Sequence, residues 1–245
     1  IDFQHNALNS SLASFRNDLN FNLFNAGVGA EATYDIGKLY ASLYLPIRYK
    51  HFQLTDLTTE RTTKKSRLRL EPHLNVTYRI NGSHELSLKS DISYSTPVIE
   101  NLYTNNILTS YRQLSAYDVT GLFEGLNQYY TFGYSFKNIL SMSFAGIDFS
   151  LYRQCPEVLY GSYYDGIAER TISQYTNEKA NTFITKIHGS QGFDWKRLKI
   201  GASLSYSHYD NPLLVQNTLF RYMGNAISSN VDISLTPFKW LTTSY

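Results

Sequence analysis

The sequence predicts an all-β fold, an antiparallel up-and-down transmembrane β-barrel, on three observations. Apolar residues recur at every second position through most of the chain, the period of a strand with two unlike faces. The connections between these stretches alternate in length, short then long. Several stretches, such as 39–53, 66–80 and 221–236, run to about fifteen residues, longer than the five or six usual in a globular sheet. A membrane barrel accounts for all three, because its strands cross a tilted path and carry tight turns at one end and surface loops at the other.

Taken in order, Leu19, Phe21 and Leu23 oppose Asp18, Asn20 and Asn22, which reads as a strand entered partway. Ala26, Val28, Ala30, Ala32 and Tyr34 alternate with Gly27, Gly29, Glu31 and Thr33, and Leu39 through Ile47 alternate with Tyr40, Ser42, Tyr44 and Arg48. In LRLEPHLNVTYRINGSHELSLKSDISY, from Leu68 to Tyr94, the Leu/Val/Ile/Tyr parity opposes Arg69, Glu71, His73, Lys89 and Asp91 across Asn81-Gly82, a turn expected to use positive φ. Tyr130, Phe132, Tyr134 and Phe136 follow, then Leu198 through Tyr206, then Ile227, Val231, Ile233 and Leu235. The parity of 139–152 switches near Ala145-Gly146, which predicts a bulge there, and Pro46 and Pro72 inside strands predict two more. The total is about ten strands and no helix.

Short turns fall at 35–38, 81–84, 137–138, 194–197 and 237–239, and long polar connections near 54–66, 96–117, 153–179 and 209–220. This sorting places the short turns on the periplasmic side and the apolar parity against lipid. Tyr34, Tyr78, Tyr134, Phe136, Phe193, Phe238 and Trp240 beside short turns, with Tyr94, Tyr152, Tyr206, Tyr209 and Tyr222 near long ones, predict two aromatic girdles.

Net charge is +2 with both signs scattered, so the basic stripe needed for nucleic-acid binding is missing. Cys155 is the single cysteine, which excludes a disulfide framework. A soluble β-sandwich binding module remains as an alternative, in which the polar parity would face water.

The segments YTFGYSFKNILSMSFAGIDFSLYR and FDWKRLKIGASLSYSHYD resemble hairpins of the TonB-dependent outer-membrane receptors of the Bacteroidetes type. That resemblance covers essentially the whole chain. It implies a 22-stranded barrel of which residues 1–245 form a partial wall, ending in a truncated strand at Tyr245. It further implies nutrient binding and energised uptake across the bacterial outer membrane, with no cofactor and no chemical transformation. The implied partners are outer-membrane lipid, an intramolecular plug domain, a periplasmic TonB-type energy-coupling protein and a surface lipoprotein. The plug and coupling motif are not in this sequence. An outer-membrane adhesion or structural barrel is the other alternative, and a self-contained ten-stranded barrel is the rival for size.

The polar parity offers Glu31, Arg67, Arg69, Glu71, His73, Lys89, Asp91, Lys199 and Asp232 as lumen-lining residues, together with Arg48, Arg79 and Lys186. An unpaired Arg or Lys on the lipid face costs about 2–4 kcal/mol at mid-depth, so these side chains face water or partners. No HExxH or phosphate-cradling glycine loop occurs, and histidine–acid pairs two positions apart arise from strand geometry alone, so no catalytic residue and no metal ligand is expected. Aromatic residues beside hydrogen-bonding groups in the long connections, Tyr160, Tyr163, Tyr164 and Asp165 with Tyr103 and Tyr111, are the candidate ligand contacts.

Overall fold

A computed structural model describes residues 15, 17–103, 105–110, 112–115, 121–166, 168–194, 198–238 and 241–244. Trp240, expected in a girdle, and Tyr245, the expected truncation point, lie outside the described residues. Among the described residues fifteen strands form a single sheet. They are β1 (Leu19–Ile36), β2 (Leu39–Asp56), β3 (Arg61–Leu70), β4 (His73–Arg79), β5 (His84–Tyr94), β6 (Ile107–Ser110), β7 (Gln113–Ser115), β8 (Gly125–Asn138), β9 (Ser143–Pro156), β10 (Val158–Asp165), β11 (Ala168–Tyr175), β12 (Ala180–Phe193), β13 (Leu198–Val215), β14 (Thr218–Phe238) and β15 (Leu241–Ser244).

Two levels are built from them. The wall runs β1, β2, β3 with β4, β5, β8, β9, β12, β13, β14, β15, each antiparallel to the one before, with β3 and β4 acting as two pieces of one strand against β2. Above the wall lies an upper tier: β10 pairs in parallel with the top of β13 at Gly161–Leu214, β11 returns beside β10, β7 pairs with β11 in parallel, and β6 closes on β7. Among the described residues β1 and β15 each pair on one side only, so the sheet is not closed. The only helical piece described is a 3-10 turn at Ile99–Leu102.

Directly opposed residues of an antiparallel pair share a face, so the register assigns every side chain of the wall to one of two faces. The face bearing Lys50 and Phe52 is termed inner, because Leu102 and Leu122 pack on it. Leu23↔Phe52, Lys50↔Arg67 and Tyr44↔His73 carry this face from β1 to β4, and His73↔Asp91, Asp91↔Tyr129, Tyr129↔Tyr152, Tyr152↔Thr182, Thr182↔Tyr209 and Tyr209↔Gly224 carry it to β14.

Polarity reverses along these faces. Low on the wall the outer face is apolar and exposed, with Val28, Leu68 and Ile227 at 76%, 69% and 73%. The inner face there is polar. High on β1, β2 and β3 the outer face turns to Asn20, Asn22, His51, Gln53, Lys64 and Ser66, while the inner face turns apolar: Phe52 is 0% exposed, Leu54 6%, and Leu102 and Leu122, at 1% and 3%, cover them beside Leu19 and Phe21. Burying a side chain such as Phe52 contributes about 1.5–3 kcal/mol, so this small core fixes the top of the wall.

Several expectations are corrected. The stretches 54–66 and 209–220 are not loops but continuations of the strands, closed by tight turns at 57–60 and at Gln216-Asn217, where both residues have positive φ (52° and 58°). Above the apolar band polar residues enter both faces, Thr62, Lys64 and Ser66 outward and Thr63 and Lys65 inward, which made strand resemble loop. The connections 96–117 and 153–179 likewise contain β6, β7, β10 and β11. Asn81-Gly82 does not use positive φ; the Asn81 side-chain oxygen instead accepts from the Ser83 and His84 amides at 2.9 and 3.0 Å. No bulge occurs at Ala145-Gly146, whose register is continuous with β8 and β12, because Phe144 lies inward next to the turn and only mimics a switch.

Pro46 and Pro72 also produce no register shift: Ile47↔Leu70 and Tyr44↔His73 keep the same offset on both sides of them. Each accepts a ladder bond, from Glu71 N–H (3.1 Å) and Ile92 N–H (3.1 Å), and each lacks the donor that would return it. The gap between β3 and β4 falls at these missing bonds. Of the aromatic residues expected in the upper girdle, Tyr152, Tyr209 and Tyr222 belong to the inner face, whereas Tyr34, Tyr78, Tyr134, Phe136 and Phe193 of the lower set share the outer face.

Candidate functional site

The inner face concentrates charge where its polarity changes. Arg48 and Lys50 on β2 and Lys65, Arg67 and Arg69 on β3 project there at strand spacing, five cations from two paired strands. Like charges this close must be neutralised, and the acids come from elsewhere. Glu71 beside Pro72 receives Arg48 Nε at 3.1 Å and Lys50 Nζ at 3.3 Å. Glu124 receives Arg69 Nη2 at 2.6 Å and Nε at 3.1 Å, with Arg67 Nε at 3.8 Å. Glu157 takes Lys65 Nζ at 3.2 Å and Arg67 Nη2 at 3.3 Å. Five cations thus face three carboxylates, leaving two positive charges in excess on this network.

Backbone groups complete it. Lys65 Nζ donates to the Leu122 carbonyl at 2.7 Å and Lys50 Nζ to that of Tyr94 at 3.0 Å, while the Arg69 guanidinium lies 4.2 Å from the Tyr94 ring centroid. The network therefore ties β2 and β3 to the end of β5, to segment 121–125 and to the start of β10. Its side chains are mostly covered, Lys50 and Glu71 being buried and Glu124 having a side-chain exposure of 0%. Two clefts flank it. One lies among Pro97, Leu102, Phe123, Glu124 and Tyr160; the other lies among Lys65, Arg67, Phe123, Glu157 and Tyr175.

Lower on the inner face lie further polar side chains. His73 Nδ1 is 2.7 Å from Asp91, with the Tyr44 ring stacked on it at 5.9 Å, and His188 lies 3.7 Å from Asp148. Tyr44 can lie flat because Gly29 faces it, where a Cβ would sit 2.6 Å from its ring; Gly146 makes the same room for His188. Among the described residues no three His, Cys, Asp or Glu side chains gather into a metal-binding group.

The nine residues read as lining, Glu31, Arg67, Arg69, Glu71, His73, Lys89, Asp91, Lys199 and Asp232, all fall on the inner face by register. The aromatic candidates do not converge. Tyr160 borders the smaller cleft, Tyr163, Tyr164 and Asp165 are exposed at the far end of β10, and Tyr103 follows the 3-10 turn. Tyr111 lies outside the described residues.

No family model and no curated protein matches the chain. Among solved structures it is similar to the FrpB iron transporter from Neisseria meningitidis (F3-3 variant), with 12% identity and a TM-score of 0.47. The match covers 93% of this chain and 40% of that one, so this chain spans about two fifths of the length of that structure.

Lys50, Lys65, Glu124 and Glu157 are the network members that the sequence did not single out. The run Lys65, Arg67, Arg69 on one parity signalled that acids must meet it, but Glu124 and Glu157 arrive from 55 and 92 positions away, with no local mark. At the other end of the sheet Arg221 makes an exposed counterpart, bonded to Asp210 at 2.7 and 2.9 Å and to Glu178 at 3.1 Å. Its hydrogen bonds to Asp210, and then the charges of Asp210 and Glu178, hold it protonated above its already high ordinary pKa.

Proposed function

We propose that the chain is part of the wall of a bacterial outer-membrane β-barrel of the TonB-dependent receptor type, taking part in nutrient binding and energised uptake. It catalyses no reaction in this reading. The observation that carries the membrane assignment is the reversal of polarity along a continuous sheet. An exposed band of Val, Leu, Ile, Phe and Tyr around the lower outer face is far larger than a water-soluble surface carries, and above it the same strands turn to Asn, Gln, His, Ser and Thr without a register shift. No described helix is long and apolar enough to cross a membrane, so strands would make the crossing.

A soluble sandwich is disfavoured, since it needs two sheets face to face and all fifteen strands belong to one sheet. The receptor type is supported by the hairpin resemblance and by a mixed-sign inner face, which suits a protein plug held by hydrogen bonds and ion pairs better than a pore selecting one ionic sign. The upper tier supplies the surface on which a nutrient would bind, and the energy-coupling protein would act from the periplasm through the plug. An adhesion or structural barrel is the second reading, favoured by the exposed Phe220 and Tyr222 near the tip of the β13–β14 hairpin.

The membrane assignment is tested by attaching a fluorophore to single cysteines in a Cys155→Ser background, in vesicles containing brominated lipid. Quenching at positions 28 and 227 with none at 53 and 64 is the expected result; equal quenching at all four removes the assignment. Transport is tested on the full-length gene product. A plug domain and coupling motif ahead of residue 1 favour uptake, and their absence there leaves the adhesion or structural reading.

A further inference from the structure

Segment Gly121–Gly125 presents two unlike side chains to two unlike surfaces. Leu122, 3% exposed, rests against Phe52 and Leu54, and Glu124, with its side chain fully covered, enters the cations of β3. An apolar group beside a carboxylate therefore fills a place made of an apolar floor and a cationic wall. The fit is incomplete: Glu124 Oε1 and Arg67 Nε are both buried without a hydrogen-bond partner. A buried carboxylate oxygen left unsatisfied costs free energy, so the occupant does not exhaust what the place can offer.

Both ends of the segment are glycines. A Cβ at Gly121 would meet the Phe123 ring at 3.0 Å, and one at Gly125 would meet Ser95 Oγ at 3.0 Å, so glycine is what lets the segment turn down onto the inner face. Its backbone is held by Lys65 at the Leu122 carbonyl (2.7 Å), by Ser95, whose Oγ accepts from the Gly125 amide (2.8 Å) and whose N–H donates to the Gly125 carbonyl (2.9 Å), and by a long bond from the Glu124 amide to Glu157 (3.5 Å). Leaving its seat would expose Phe52 and Leu54 beside Arg67 and Arg69, and would take from the five cations one of the three carboxylates that meet them.

We propose that Leu122 and Glu124 are a built-in occupant of a binding site for an amphipathic anion, a small molecule with an apolar body and one carboxylate, which competes with them for Phe52, Leu54, Arg67 and Arg69. The site stands on the inner-face geometry and holds whether or not the chain takes part in uptake. A ligand that must displace an internal occupant binds more weakly by the fraction of time the site is vacant, so removing the occupant raises the apparent affinity.

The test uses the full chain in lipid nanodiscs with 4-phenylbutyrate as probe and its neutral amide as control. Glu124→Gln is expected to bind the carboxylate at least about tenfold more tightly than the native chain, and saturating carboxylate is expected to speed amide exchange of 122–124 in the native chain while β8 stays protected. Adding Arg69→Gln is expected to abolish the gain. Leu122→Ser serves as a second variant should Glu124→Gln lose protection in β8. Equal affinity in native and variant chains, equal binding of the neutral amide, or unchanged exchange of 122–124 at saturation would each overturn the proposal.

Discussion

The lower wall and the upper part of β1, β2 and β3 are built on the same period of two, yet their faces have opposite meanings. Below, Val28, Leu45, Leu68 and Ile227 look outward and Glu31, His73 and Asp91 inward. Above, Phe21, Phe52 and Leu54 look inward, and Asn22, Gln53 and Thr55 outward. No bulge separates the two zones on β1 or β2. What changes is the surroundings, so alternation identifies a two-faced strand and says nothing about which face meets water.

The comparison can be broken by substitutions on either side of the boundary. Phe52→Ala should have the largest effect, about 3–5 kcal/mol, because it empties the centre of the upper core; a loss below about 1 kcal/mol by denaturant titration would mean that the tier is not seated there. Val28→Arg, in the middle of the outer band, should cost about 2–4 kcal/mol in a lipid folding assay, whereas Gln53→Arg, also outward but above the band, should stay within about 0.5 kcal/mol. Equal costs at 28 and 53 would erase the boundary. Ser66→Val should change stability least among neutral substitutions, although it removes the hydroxyl shared with Tyr49 and His51 at 3.1 and 2.8 Å. Arg221→Gln sharpens the contrast between exposed and covered ion pairs: the small change in melting temperature it causes should vanish in about 1 M salt, while disruption of Arg69–Glu124 should persist there.

Much of the wall was legible because two-faced strands write their pattern locally. The face on which Lys89, Asp91, Lys199 and Asp232 stand follows from counting by two once the register is known. The solvent boundary was also written in the sequence, as the move of apolar residues from Tyr49 to Phe52 on β2 and from Phe24 to Leu23 on β1, but a parity switch there resembles the start of a loop. The charged network was legible by half. Its cations sit on adjacent strands and share a parity, whereas Glu124 and Glu157 reach them through tier connections whose course depends on packing of Leu102 and Leu122. The aromatic candidates were chosen by composition alone, and composition does not say that Tyr163 and Tyr164 end at a hairpin tip while Tyr160 borders a cleft.

The two prolines divide the molecule mechanically. The Pro46 rung to Glu71 and the Pro72 rung to Ile92 each lack a donor, the first in the ladder with β2 and the second in the ladder with β5, so a pull on the β2–β3 hairpin passes into the wall through Glu71, whose amide bonds Pro46 and whose carboxylate grips Arg48 and Lys50. One side chain thus spans the seam between a part whose outer face is apolar and a part whose outer face is polar. Stress from a bound surface partner would concentrate at that carboxylate, making it the stitch by which motion above is either absorbed or handed down to the wall.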